Sequence, residues 1–142
     1  MKKGISIKAQ YLKDLSFESP KTPGIFNQQN INPKIDIAVD IKAGKLSEKL
    51  YEIVLTLSSS GILEKENEKI FIIECVYAGI FELQNEKDKS KLEKTLLIDC
   101  PAIIFPFARR IIADVTKDGG FPPLMIDPID FELLYKNRKN KK

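Results

Sequence analysis

The most informative run of the sequence is Ile70-Phe71-Ile72-Ile73-Glu74-Cys75-Val76-Tyr77-Ala78-Gly79-Ile80-Phe81-Glu82-Leu83. Read at a period of two, it puts Ile72 and Val76 on one side and Phe71, Ile73, Cys75 and Tyr77 on the other. Both sides are largely apolar, so the segment reads as a strand that must be covered on both faces. Helices of the same chain can supply one cover. The other falls to a second subunit or a ligand.

Upstream the same period recurs. Ile5, Ile7, Ala9 and Tyr11 alternate with Ser6, Lys8 and Gln10. Ile35, Ile37, Val39 and Ile41 alternate with Lys34, Asp36, Ala38 and Asp40, and Lys42-Ala43-Gly44-Lys45 reads as a turn. Tyr51 to Leu57 carries Ile53, Leu55 and Leu57 on one face, and the charged run Glu64 to Lys69 suits a hairpin tip. Between the first two strands, Ser19 to Pro33 holds Pro20, Pro23, Gly24 and Pro33 without periodicity. It reads as a long loop, with Ile25-Phe26 exposed or tucked down as an anchor, and ordered loops of this length are uncommon unless functional.

Downstream the period changes to that of helices. Ser90-Lys91-Leu92-Glu93 is a capping-box pattern that starts a helix bearing Leu92, Leu96 and Leu97. Cys100-Pro101 interrupts it, and Pro106 fits the first turn of the next helix. That helix carries Phe107, Ile111, Ile112 and Val115 and stops at Gly119-Gly120. After the extended Phe121 to Ile126, Asp127-Pro128 opens a last helix with Phe131, Leu134 and Tyr135 on its apolar side. Four strands followed by helices predict an α+β fold, a four-stranded antiparallel sheet with helices packed on one face.

Composition narrows the function. The 142 residues suit one domain. The chain has no histidine, which removes a Ser-His-Asp or Cys-His triad and every His-containing metal site. Its carboxylates form no recognisable catalytic pair, and Gly119-Gly120 is no phosphate loop. Cys75 and Cys100 lack the C-x-x-C spacing and read as small buried apolar residues of a reducing compartment. No secretory signal and no apolar run near 20 residues long is visible, so a cytoplasmic protein without membrane insertion is expected. The net charge of +3 comes from the end of the chain. Lys136 to Lys142 carries five basic groups, and without it 18 basic residues face 20 acidic ones, a body charge of −2. Hence the expected division is a domain over residues 1–135 and a solvated basic tail over 136–142. The sheet's polar side carries Asp14, Glu18, Asp36, Asp40, Glu52 and Glu74, which repels nucleic acid. The reading is a binding protein that presents apolar surface, not an enzyme, and needing no cofactor.

Six segments together resemble the SecB protein-export chaperones. Tyr11-Leu12-Lys13-Asp14-Leu15-Ser16-Phe17-Glu18-Ser19-Pro20 is similar to that family's Y-x-K-D-x-S-F-E-x-P signature, and Pro23-Gly24-Ile25-Phe26 to its continuation. Tyr51 to Leu55 resembles its third strand, and Glu74 with Ala78-Gly79-Ile80-Phe81 its fourth. Cys100-Pro101-Ala102-Ile103-Ile104-Phe105-Pro106-Phe107-Ala108-Arg109 is similar to C-P-x-x-L-F-P-Y-A-R. Gly120 to Leu124, Asp127 to Phe131 and Leu134-Tyr135 resemble its C-terminal motifs. Order and spacing agree over residues 5–135.

The resemblance implies an ATP-independent chaperone that binds unfolded precursor proteins, keeps them export-competent and hands them to the SecA translocation ATPase. It implies a homotetramer, a dimer of dimers. Carried over by position, the client groove falls on Ile35, Ile37, Val39, Phe121, Leu124 and Met125. The SecA contact falls on Asp14, Glu18, Ile72 and Glu74, and subunit pairing on Ile73, Cys75 and Tyr77. The basic C-terminus departs from the acidic or mixed tails of many members. Three rivals stand beside it: a general antiaggregation or toxin–antitoxin-associated chaperone of the same fold without SecA handover, an enzyme or small-ligand protein, which the absent histidine and missing catalytic pair disfavour, and an RNA-binding domain using the basic tail.

Overall fold

A computed structural model describes residues 4–28 and 31–140. Four long strands run β1 (Ile5–Glu18), β2 (Lys34–Lys45), β3 (Leu50–Leu63) and β4 (Glu68–Leu83). They form one antiparallel sheet in the order β1-β4-β3-β2, which leaves β1 and β2 as edges. The β-branched and aromatic residues that alternate along each segment suit such pleated, half-buried surfaces.

The two edges differ. β1 bulges between Ile7 and Ala9 and again between Leu12 and Asp14. Each bulge contains a lysine that pairs inward: Lys8 with Glu82 at 3.2 Å and Lys13 with Glu52 at 2.8 Å. A bulged, lysine-bearing edge resists pairing with stray strands. β2 is regular, and its partner across the sheet is β3 in unbroken register from Lys34↔Ile62 to Lys45↔Tyr51. The turn to β3 falls after Lys45, at residues 46–49, because β2 runs through Lys42-Ala43-Gly44-Lys45 without leaving its register.

The helices follow: α1 (Lys89–Lys94), a π-helical turn at Thr95–Asp99, α2 (Cys100–Asp118) and α3 (Phe131–Asn140). Four helix boundaries differ from the sequence reading. Asp88 caps α1 in place of Ser90, its Oδ1 accepting from the amides of Ser90 at 2.9 Å and Lys91 at 3.4 Å. Cys100-Pro101 does not interrupt the helix, because Pro101 occupies its first turn and the wider π turn leads straight into it. Pro106 lies inside α2. The carbonyl it orphans belongs to exposed Ala102, where water can serve it. Asp130 caps α3 in place of Asp127, accepting from the Leu133 amide at 3.0 Å. α3 then continues through Lys136 to Asn140, with Arg138 donating to the β2 carbonyl of Ile41 at 3.1 Å. Lys141 and Lys142 lie outside the described residues.

α2 lies across β4 and β3. Between them sits the core: Ile53, Leu55, Leu57, Ile73, Cys75, Phe81, Ile104 and Ile112 are wholly buried. Each Ile, Leu or Phe buried in this way stabilises the fold by roughly 1.5–3 kcal/mol. Among the described residues, no helix covers the other face of the sheet.

Candidate functional site

Three segments far apart in sequence, with β4 behind them, line a hollow of about 460 Å³ at the end of α2. The first is a 3-10 turn, Gly24–Asn27, in the loop after β1. Ile25 is buried there and fixes the turn, so Phe26 is left on the surface, 51% exposed. The second is the start of β2, where Ile35 contributes. The third is the proline-rich segment after α2, where Phe121 and Leu124 contribute, with Phe71 of β4 and Ile31 completing the wall.

Aromatic rings line this end of the molecule. The Phe121 ring lies 5.3 Å from Phe71, 5.6 Å from Phe26 and 6.4 Å from Phe17, all at tilted or edge-on angles. Such pairs add ~0.5–1.5 kcal/mol beyond burial. Two glycines make room for them. A Cβ on Gly119 would stand 2.5 Å from the Phe17 ring, and one on Gly120 2.7 Å from Phe26. Gly120 also takes a φ of +92°, which disfavours any side chain. Gly119-Gly120 therefore ends the helix and also seats the rings.

From this hollow an apolar stripe runs along β2. Ile35, Ile37, Val39 and Ile41 share the helix-side face, but the edge lies beyond the reach of α2 and Ile35 and Ile37 remain 37% and 43% exposed. Val39 and Ile41 open onto a second hollow, of about 360 Å³, walled by Leu97, Leu134, Tyr135 and Arg138. Ile35 to Ile41 spans about 20 Å at the usual strand rise. Of the six groove residues expected from sequence, Ile35, Phe121 and Leu124 line the first hollow, Val39 lines the second and Ile37 lies between them on the stripe. Met125 is 55% exposed and lines neither. Phe26, Phe71 and Ile31 join the site from outside that set.

The opposite, open face is acidic. Register places Glu18 opposite Ile72, Ser16 opposite Glu74 and Asp14 opposite Val76. Asp14, Glu18 and Glu74 are exposed, with the two β1 acids about 7–8 Å diagonally from Glu74. Ser58 donates to Glu74 at 3.2 Å. Asp36, Asp40 and Glu52 share this face. Farther along it, the Tyr11 hydroxyl donates to Glu52, which also accepts from Lys13 at 2.8 Å. Partial burial, followed by the Glu52 hydrogen bond and charge, pushes the Tyr11 hydroxyl up to about 12. Lys13 and Tyr11 together hold the Glu52 carboxyl below its ordinary value.

The residues expected for subunit pairing lie elsewhere than on a surface. Ile73, Cys75 and Tyr77 face α2 of their own chain and are 0%, 0% and 8% exposed. Their face of β4 packs on α2 within the chain. Burial raises the Cys75 thiol to about 11 and the Cys100 thiol to about 12, so both stay neutral. The exposed apolar residues beside them are Leu12, on the β1 edge, and Phe107 of α2, whose ring stacks parallel on Tyr77 at 6.2 Å.

Among the described residues, no group of three or more Cys, Asp or Glu side chains could hold a metal ion, and no helix is long and apolar enough to cross a membrane. A sheet backed by one long helix thus carries an apolar groove along one edge and an acidic open face. The preprotein translocase subunit SecB family model matches residues 1–142. Protein-export protein SecB of Maricaulis maris is 44% identical over 138 residues, covering 97% of this chain and 78% of that protein. The same protein of Bradyrhizobium diazoefficiens is 44% identical over 137 residues, covering 96% and 83%. A solved Mycobacterium tuberculosis SecB-like chaperone, in complex with a peptide from the HigA1 antitoxin, shares the fold with a TM-score of 0.72 at 11% identity, over 89% of this chain and 91% of that one. The chain belongs to the SecB family of protein-export chaperones.

Proposed function

We propose that this protein is an ATP-independent holder of unfolded precursor proteins, which it passes to the SecA translocation ATPase in the cytoplasm. One observation carries the reading. Phe26, Ile35 and Ile37 form an exposed apolar stripe running out of an aromatic hollow, at an edge that the chain's own helices leave uncovered. An unfolded precursor exposes apolar side chains and backbone, and a folded protein hides most of them. Burial against such a stripe is non-directional and roughly proportional to area. It therefore selects for unfolded chains without reading their sequence, and it uses no nucleotide or cofactor.

Delivery rests on the other face. Asp14, Glu18 and Glu74 present like charge around Ile72, a pattern that steers a basic partner surface and raises the encounter rate. In the homotetramer we propose, several grooves engage one client. Linked weak sites of this kind can exceed single-site affinity by ~100-fold or more. Subunit pairing on the helix side would draw on Leu12 and Phe107, since Ile73, Cys75 and Tyr77 are enclosed.

The test places a charge in the stripe. Ile37→Asp leaves the core untouched, because the side chain is 43% exposed. It is expected to weaken binding of a permanently unfolded, reduced and alkylated protein at least tenfold in an anisotropy titration. Wild-type affinity in the folded variant refutes the groove. Client binding without SecA capture, by contrast, would favour the antiaggregation chaperone.

A further inference from the structure

The groove's third wall is a segment with little means of holding itself in place. Pro122 and Pro123 have no N–H, so from Phe121 to Leu124 only two amides exist. Both bond to one residue. The Phe121 amide donates to the Thr116 carbonyl at 3.1 Å, and the Leu124 amide donates to Thr116 Oγ1 at 2.9 Å. The Thr116 hydroxyl in turn donates back into α2, to the carbonyl of Ile112 at 2.9 Å or Ala113 at 3.1 Å. Thr116 is wholly buried although its neighbours on the apolar side of α2 are Ile, Ala and Val. A buried hydroxyl is costly unless it is bonded, and here its donor and its acceptor are both used. The far end of the segment is tied separately. Arg109 Nε donates to the Ile126 carbonyl at 2.7 Å, and the Ile126 side chain is buried.

From this we infer that Thr116 is a positioning residue for client binding: by pinning the Leu124 amide it holds the proline-rich wall in its bound geometry before any client arrives. The inference rests on the groove reading above. Two successive prolines already make the wall stiff, and a clamp at each end fixes where that stiff piece stands relative to Phe26 and Ile35. A wall held in place needs no ordering on binding, and avoided ordering appears directly as affinity. Thr116 touches no client. It acts through Leu124 and Phe121.

Thr116→Val keeps the shape and removes the hydroxyl, whereas Thr116→Ser keeps the hydroxyl. In Thr116→Val the Leu124 amide is expected to exchange with solvent at least tenfold faster, and the unfolded alkylated protein to bind about three- to tenfold more weakly. Thr116→Ser restores both readings, which a purely volumetric role for residue 116 would not allow. Arg109→Gln, which frees the other end, carries the same affinity test if Thr116→Val does not fold. Phe121→Ala separates the two levels. If it weakens client binding while a folded Thr116→Val binds as wild type, the positioning role is overturned and the groove stands. If Phe121→Ala also binds as wild type, the groove reading itself has failed.

Discussion

Phe26→Ala removes the most exposed ring of the aromatic cluster. A phenylalanine side chain offers roughly 200 Å² of surface. With Phe26 51% exposed, about 100 Å² of it faces the solvent at the mouth of the groove. A client segment that covered all of this would gain ~2.5 kcal/mol at ~25 cal/mol per Å², and one that covered half would gain ~1.2 kcal/mol. Since ~1.4 kcal/mol is tenfold, the single-site Kd should rise by between about 8-fold and about 60-fold. The fold should lose less, about 1–2 kcal/mol, because the ring's described aromatic partner is Phe121 at 5.6 Å and half of the residue is already in water. The assay is a titration with a short unstructured apolar peptide, which occupies one site and keeps avidity out of the number, together with a thermal melt. A Kd within twofold of wild type for the folded variant would overturn the assignment of Phe26 to the groove.

Further expectations are of three kinds. Glu18→Lys combined with Glu74→Lys should weaken SecA binding about tenfold or more at low salt, as measured by surface plasmon resonance, and leave client binding as it was. Spectrophotometric titration of the four tyrosines should show Tyr11 ionising near pH 12, and Glu52→Gln should move that step down while burial keeps it above the ordinary value of 10.0. The linked stability has a definite sign. Because its folded value is raised, Tyr11 contributes stability that is complete below pH 10 and is lost as pH rises toward 12. Glu52, whose folded value is lowered, contributes stability that is complete above its ordinary 4.5 and is lost as pH falls through its folded value. Urea midpoints of wild type and Glu52→Gln across pH should converge at the acid end.

The sheet was legible in the sequence because its signal is local. A period-two run of Ile, Val, Phe and Tyr can be read residue by residue, and the six acids assigned to the polar side do share one face. Helix ends were less legible because they depend on which polar group reaches which amide. Asp88 and Asp130 do so where Ser90 and Asp127 fit the motif equally well. Pro106 looked like a start, but α2 tolerates it because the orphaned carbonyl is exposed. Alternation could not tell a covered apolar face from an uncovered one. Ile37 and Cys75 both sit on the helix-side face, yet one is 43% exposed and the other wholly buried. That difference depends on the reach of α2, a tertiary fact. No local pattern brings Phe26 and Phe71 together with Phe121, because the aromatic cluster draws on four separate segments. Gly119-Gly120 was the available signal, since two adjacent glycines beside Phe121 leave space that some ring must fill.

In the proposed function the β2 stripe and its aromatic mouth hold unfolded chains. Photo-crosslinking from position 37 tests it most directly, with a matched probe at position 14 on the open face. Crosslinks are expected from position 37 to a precursor kept unfolded, disappearing when the same precursor is allowed to fold, with few from position 14. Crosslinks to the unfolded precursor from position 14 and none from position 37 would contradict it.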